Sequence, residues 1–315
     1  MNKKLCGQKN ELDEIEKMKF QEKLNNEYKI CSQLGHTGVR TSAYLMRNEF
    51  GAEFVLKIPN DYGDSNWIAE QKNTMEKCHK SLNGYDGDVY IPKIVIFGDN
   101  FVVERYAGTE FTADIYDTMP KNDKNKIIND FAYFFHYLHS NNNVGVASPL
   151  QMLNKPTLEE VFDYLQGAFD EKQKLYVSEQ IKKFNDRNRK DEITVMTHAD
   201  IRSQNVLYDQ NQKKLAIIDF ELLKERNIYH DFVPLAAASF RMSYKLLFGI
   251  IGQYNLLAKN SDIAVSVEKI KLLHILGVFH EYGRCAIFRN DKENQLKNVC
   301  QKIFNCIDKI NVEMT

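Results

Sequence analysis

The sequence predicts an α+β fold in two parts, a small antiparallel sheet with one helix followed by a larger, mainly helical part. Three observations predict it. Short strand-like runs separated by turn residues fill the stretch from Tyr28 to Tyr106, broad apolar stripes at helical spacing dominate beyond Gly108, and no long Pro-, Gly- or Ser-rich linker interrupts the chain. The expected boundaries are an N-terminal helical extension over 1–27, a sheet-bearing lobe over 28–106 and a helical lobe over 107–315, with a ligand cleft between the lobes.

Composition supports a folded enzyme-sized chain and removes several partners. Of 315 residues, 43% are hydrophobic and 27% charged, which is ordinary globular usage and argues against disorder. The 42 Lys+Arg and 43 Asp+Glu leave a formal charge of −1, so no basic field exists to hold a nucleic-acid backbone. The six cysteines are scattered without a C-x-x-C pair, which fits a reduced setting and no zinc ribbon. "MNKKLCGQKNELDEIEKMKF" passes from lysines directly into acids and lacks the apolar run of a signal peptide. The apolar stretches "LLFGIIGQYNLL" and "LLHILGVF" are too short to span a bilayer and read as buried helix faces. The expectation is a cytoplasmic protein without nucleic-acid or membrane partners.

Taken in order, residues 10–27 read as a charged surface helix. "YKICSQL", "TSAYLMRNEF" and "GAEFVLKIP" then form an antiparallel series with Gly35, Gly38 and Gly51 at the turns. "SNWIAEQKNTMEKCHKSL" is one helix, opened by Ser65 as a possible N-cap and carrying Trp67, Ile68, Met75, Cys78 and Leu82 at broadly helical spacing. "VYIPKIVIFG" and "FVVERY" add two strands around the turn "GDN", about five strands in all. Beyond them, Ile127, Ile128, Phe131, Phe134, Phe135 and Leu138 make one buried helical stripe, and Leu158, Val161, Phe162 and Leu165 another. The last helix repeats the pattern at Leu296, Val299, Cys300, Ile303, Ile307 and Ile310. Inside this helical region "ITVMTHAD", "NVLYD" and "KLAIID" are the strand-like runs, expected to make a small hairpin.

That hairpin carries the chemistry. In "THADIRSQNVLYDQNQKKLAIIDFE", Asn205 follows Asp200 by five residues and Asp219 follows it by nineteen. Phosphoryl transfer needs metal ions to neutralise phosphate oxygens and a carboxylate to orient the attacking hydroxyl. Asp200 at the end of one strand is suited to accept the hydroxyl proton. Asn205, five residues on, can fold back as an oxygen ligand for Mg²⁺, with Asp219 as the second ligand. The apolar "LAII" is then the buried strand that holds Asp219 rigid. An isolated Asp-x4-Asn pair is an ordinary Asx-turn pattern; the complete ordered set is far rarer.

With "HADIRSQN" and "IIDFE" in place, the sequence resembles the aminoglycoside phosphotransferase and choline kinase family, small-molecule kinases with a bilobal protein-kinase-like fold. The family motif is His-Gly-Asp, then Asn five residues later, then Ile-Asp-Phe/Trp-Glu. The resemblance runs from about Tyr28 to at least Ala237. It implies Asp200 as catalytic base, Asn205 and Asp219 as metal ligands, and His198 as a structural residue of the loop. "FVLKIP" resembles the strand with the phosphate-binding lysine, Lys57. "AEQKNTMEK" resembles the helix that supplies its glutamate, Glu70 rather than Glu76. "FVVERYAG" resembles the hinge that meets the adenine edge, which places Glu104 and Tyr106 at the nucleotide. "IYHDFVPLAA" resembles the helix whose leading Asp231 braces the catalytic loop. Two departures stand out: Ala199 replaces the usual Gly, and Arg202 stands where many members have His. "LGHTGVRTSAYLM", the nucleotide-covering loop, has only two glycines.

The implied activity is transfer of the γ-phosphoryl group of ATP or GTP, with Mg²⁺, to a hydroxyl of a small metabolite or antibiotic. Lys57 by itself would read as an edge lysine, and Glu70 as a solvated helix residue. His136 and His139 lack the carboxylate partner of a recognised zinc pattern and read as core or helix-end histidines; "HEYGR" at His280 lacks the second histidine of a metalloprotease helix. A protein kinase is disfavoured because Glu221 follows Phe220 and Asp231 stands only twelve positions after Asp219. A catalytically inactive nucleotide-binding module is disfavoured by the presence of Lys57, Asp200, Asn205 and Asp219 together. Between Ile228 and Asn290 four acids face seven bases, which points to a neutral or anionic acceptor rather than a polycation.

Overall fold

Strict alternation builds the first sheet. In the strand Glu53–Pro59, Phe54, Leu56 and Ile58 are buried while Val55 and Lys57 take the opposite, half-buried face. The computed structural model describes residues 20, 22, 24, 26–34, 41–60, 66–140, 145–146, 156–187, 193–233 and 243–314. Packing divides the chain into two compact units, Met1–Met75 with Ile91–Ala107, and Glu76–Tyr90 with Gly108–Thr315.

The first unit holds β1 (Tyr28–Gln33), β2 (Thr41–Asn48), β3 (Glu53–Pro59), β4 (Ile94–Phe97) and β5 (Val102–Arg105). They form an antiparallel sheet in the order β1-β2-β3-β5-β4. Gly51 takes φ 77° in the turn between β2 and β3, a left-handed conformation that suits glycine. The sheet's core joins Ile30, Tyr44, Met46, Phe54, Leu56, Ile58, Phe101 and Val103 to Phe20 and Leu24. Phe20 meets the Phe101 ring edge-on at 5.8 Å, so the end of the N-terminal segment is a core element. Most of that segment, residues 35–40 with Gly35 and Gly38, and Ser65 lie outside the described residues. Helix α1 (Trp67–Ser81) follows, with Trp67 and Cys78 buried.

The second unit is mainly helical. α2 (Ala113–Thr118) leads into α3 (Lys121–Ser140), whose Ile127, Phe131, Phe134, Phe135 and Leu138 are buried as their spacing requires. α4 (Leu158–Leu165) begins at a capping box between Thr157 and Glu160. α5 (Glu171–Arg187), α6 (Tyr244–Leu257), α7 (Val267–Arg289) and α8 (Glu293–Glu313) complete the helices described. α8 buries Val299, Cys300, Ile303, Ile307 and Ile310. A Cβ at Gly283 of α7 would stand 2.2 Å from Val161 Cγ1, so only glycine lets α4 and α7 approach this closely. Among the described residues no helix is long and apolar enough to cross a membrane.

The strands of this unit depart from a single hairpin. β9 (Val206–Asp209) and β10 (Lys214–Ile217) do form the expected hairpin, with β6 (Thr109–Glu110) added beside β9. β8 (Ile193–Thr197) instead joins a second sheet between β7 (Gly145–Val146) and β11 (Lys224–Asn227). β11 reads "KERN", whose polar residues give no apolar alternation, and β6 and β7 are two residues each. Neighbouring backbone defines such strands.

His274 of α7 is buried, with Nε2 3.2 Å from the Phe232 carbonyl oxygen and Nδ1 without a partner among the described residues. The carbonyl accepts from an Nε2–H tautomer, and burial pushes the pKa down to about 4. A folded pKa below the unfolded value of about 6.5 means that the unfolded chain binds the proton first. This stability is fully present above pH ~6.5 and is lost as pH falls toward 4, on the order of 3 kcal/mol in total. His274→Gln should therefore flatten the fall in urea midpoint between pH 7 and pH 4.5; parallel curves for variant and wild type would refute the buried neutral histidine.

Candidate active site

Four segments of the second unit converge on Asp231. Its Oδ2 accepts the backbone N–H of His198 at 3.1 Å, and its Oδ1 that of Ala199 at 2.6 Å. His139 Nε2, from α3, lies 3.0 Å from Oδ2, and His139 Nδ1 lies 3.0 Å from the Tyr254 hydroxyl on α6. Tyr254 donates its own hydroxyl proton to the Ile263 carbonyl at 3.1 Å. Asp231, His139 and His198 are fully buried. A buried carboxylate is tolerated because N–H donors surround it. The reading of Asp231 as a brace and of His139 as a core histidine thus becomes one continuous network.

Downstream of this brace the loop reverses. Ala199 takes φ 64°, which presents its N–H to Asp231 and turns Asp200 away. The left-handed conformation costs an L-residue about 1 kcal/mol, and glycine adopts it freely. His198 then ties two segments together. Its Nε2–H donates to the Ile218 carbonyl at 2.9 Å, its Nδ1 accepts the Asp200 N–H at 3.3 Å, and its ring meets Phe220 at 4.6 Å. Burial holds the imidazole pKa below its ordinary value, against the pull of Asp231 and other nearby carboxylates.

Asp200, Asn205 and Asp219 are brought together as their spacing suggested. Asn205 Nδ2 donates to the Asp200 carbonyl at 2.9 Å and to its Oδ2 at 2.8 Å. The Asn205 carbonyl accepts the Ile218 N–H at 3.0 Å, which ties the loop to the residue before Asp219. Asp219 itself sits at φ 66°, ψ 64°, a left-handed kink that ends the apolar strand and starts the next turn. Arg202, four residues before the start of β9 in the loop, places a guanidinium nitrogen 3.0 Å from Asp200 Oδ2. Burial raises the Asp200 carboxyl above its ordinary range; Arg202 opposes this and Asp219 adds to it.

The first unit holds the other predicted residues. Lys57 Nζ lies 2.8 Å from Glu104 Oε2, an ion pair in which both side chains are mostly buried. The partners are diagonal neighbours across β3 and β5, since Val55 is opposite Glu104 and Lys57 opposite Val102. Glu70 is exposed in the first turn of α1. The Tyr106 N–H donates to the Glu53 carbonyl at 3.1 Å. Just beyond, the chain enters the second unit at Gly108, where φ is 112° and a Cβ would stand 2.4 Å from the Tyr208 carbonyl oxygen. The Glu104 pairing is invisible in sequence because it needs the β3–β5 register. Arg202, noted only as a departure, has its clue in lying two residues after Asp200.

Comparison with known proteins decides the family. The profile of the phosphotransferase enzyme family (APH) matches residues 36–248, more than half of the chain. The chain belongs to this family. Similar solved structures include a GDP complex of a mutant aminoglycoside 2'-phosphotransferase IIIa, at TM-score 0.61 and 16% identity over 95% of this chain and 98% of that chain. The streptomycin–ATP complex of APH(2")-IIa gives 0.55 and 18% over 94% and 99%. A type I macrolide 2'-phosphotransferase gives 0.52 and 12% over 94% and 99%. Identities this low speak for the fold, a protein-kinase-like arrangement of a small antiparallel sheet unit and a larger helical one. A search of curated proteins finds no match. As a member of this family the chain is a phosphotransferase.

Ala199→Gly should raise the stability of this phosphotransferase by about 0.5–1 kcal/mol, because glycine relieves the left-handed strain at slightly larger unfolded entropy. The urea midpoint measures it. A midpoint lowered by the change would contradict the left-handed backbone.

Proposed function

We propose that the protein is a small-molecule kinase that transfers the γ-phosphoryl group of ATP or GTP to a hydroxyl of a small acceptor, with Asp200 as the catalytic base. The observation that carries this is the convergence of Asp200, Asn205 and the Asp219 segment on one loop network, in a chain of the phosphotransferase family. The acceptor oxygen attacks the γ-phosphorus, its proton passes to the Asp200 carboxylate, and the bond to the bridging oxygen of the nucleoside diphosphate breaks. A carboxyl raised by burial is the stronger proton acceptor, and Asn205 and Arg202 fix its direction.

The donor set suits Mg²⁺. Asn205 commits its Nδ2 to Asp200, leaving Oδ1 as a neutral oxygen donor, and Asp219 supplies a carboxylate; both are hard oxygen ligands. When bound, Mg²⁺ neutralises phosphate oxygens. Lys57 is proposed to hold the phosphates, positioned by Glu104 across the sheet, with Glu70 retained as a second carboxylate and Tyr106 beside the nucleotide base. Nucleotides bound to similar structures, ATP with APH(2")-IIa and GDP with aminoglycoside 2'-phosphotransferase IIIa, support both donors.

Asp200→Asn is expected to retain Mg-nucleotide binding and to lose transfer by about 100- to 10,000-fold. Asp219→Ala should instead abolish the rise in melting temperature that Mg-ATP gives wild type. Equal turnover by wild type and Asp200→Asn would sink the assignment. Lys57→Ala is expected to raise the nucleotide KM, with Glu104→Ala moving it in the same direction by less; an unchanged KM in both would remove Lys57 from the phosphate site.

A further inference from the structure

The loop 198–205 is anchored at both ends. Asp231 holds the N–H groups of His198 and Ala199, and the Asn205 carbonyl accepts the Ile218 N–H. Between these anchors Arg202 reaches back to Asp200 and so ties the loop to itself. Ile201 is fully buried and Ser203 nearly so, and the Ser203 hydroxyl donates to Glu110 Oε1 at 2.7 Å. A distance this short is typical of a hydroxyl bonded to a carboxylate. Glu110 is half-buried and belongs to β6, the two-residue strand that joins β9.

Short as it is, β6 is a firm support. Thr109 lies opposite Tyr208 and Glu110 opposite Leu207, and the Phe111 N–H donates to the Val206 carbonyl at 2.8 Å. The fully buried Phe111 ring packs against Tyr208 at 5.7 Å and meets Tyr116 edge-on at 6.4 Å. From that support Glu110 grips the residue that opens the single turn Ser203–Asn205. The Ser203 carbonyl accepts the Val206 N–H at the far end of the turn, and the Asn205 N–H returns to the Arg202 carbonyl at 2.8 Å. Ser203 is thus bonded through both its side chain and its carbonyl. Asn205, two residues on and itself buried, takes its position from the turn.

We propose that Glu110 is a positioning residue for the cation site: by holding Ser203 it fixes the turn from which Asn205 offers its Oδ1 to Mg²⁺. This rests on the kinase reading above. Groups that orient a metal's ligands govern its affinity, because a ligand held in place loses less freedom when the metal binds. Glu110 acts without touching the cation, from carboxylate to hydroxyl and from the hydroxyl-bearing turn to the amide. Ser203→Ala removes the donor, and Glu110→Ala leaves a buried hydroxyl without this acceptor. Either change breaks the same bond, so the two truncations act as one.

The test measures by calorimetry the dissociation constant of Mg-ATP for the full chain, beside the urea midpoint of the unliganded protein. Glu110→Ala and Ser203→Ala should each weaken Mg-ATP binding about tenfold. The double variant should bind no more weakly than the weaker single one, because coupled partners are not additive. Glu110→Gln should stay within about twofold of wild type, since its amide oxygen still accepts the hydroxyl proton. A carboxylate that merely stabilises the fold would lower the urea midpoint and leave the dissociation constant unchanged. That result overturns the proposal, as do losses that add in the double variant or a Glu110→Gln as weak as Glu110→Ala. Should Glu110→Ala fail to fold, Ser203→Ala decides: weaker Mg-ATP binding supports the proposal and unchanged binding overturns it. If wild type binds Mg-ATP and both truncations match it, the role of Glu110 alone fails; if wild type binds no Mg-ATP, the kinase reading itself fails.

Discussion

The carboxylate of Asp231 is the constraint on which the rest of the second unit depends. Fully buried, it requires donors, and it takes them from the backbone of His198 and Ala199 and from His139. A lone buried charge would be costly enough to disfavour the fold. With its donors in place, the same charge forces the loop to present two consecutive N–H groups inward. That demand imposes the left-handed Ala199 and turns Asp200 outward from the core. Helix α3 and the loop are thereby joined through the Asp231 oxygens, and helix α6 through the His139 ring.

From this anchor the geometry propagates by short steps. His198 is fixed by its own backbone bond to Asp231, and its two ring nitrogens then fix Asp200 and Ile218. Asn205 repeats the connection from the other side through Asp200 and Ile218. Two independent ties on the residue before Asp219 explain how a left-handed aspartate can be held there. Strain of this kind persists where surrounding structure over-determines it. The consequence is that Asp200, Asn205 and the Asp219 segment are held in fixed relative positions by backbone ties as well as by the Asn205 side chain.

In the first unit the organising pair is Lys57 and Glu104. Its position follows from the antiparallel register of β3 and β5, on the sheet face opposite the packed core of Phe54, Leu56 and Ile58. A lysine on that face with a mostly buried carboxylate beside it is held in one orientation. A freely solvated lysine would not be.

How much of this was legible in the sequence differs by residue. Chain order and apolar periodicity determined the five-stranded sheet, the helical stripes and the hairpin that carries Asp219, because burial of one face per element is a local pattern. The family motif singled out Asp200, Asn205 and Asp219 among many acids and amides as candidates. Tertiary structure alone decided the pairing of Lys57 with Glu104, the reach of His139 across ninety-two residues to Asp231, and the second sheet built with "KERN". Those depend on strand register, on helix packing and on backbone pairing without side-chain alternation, none of which leaves a period in the sequence. Ala199 is the clearest division: the sequence marked it as a departure from glycine, and only the folded backbone, turned left-handed toward a buried carboxylate, gave the physical reason why glycine is usual there.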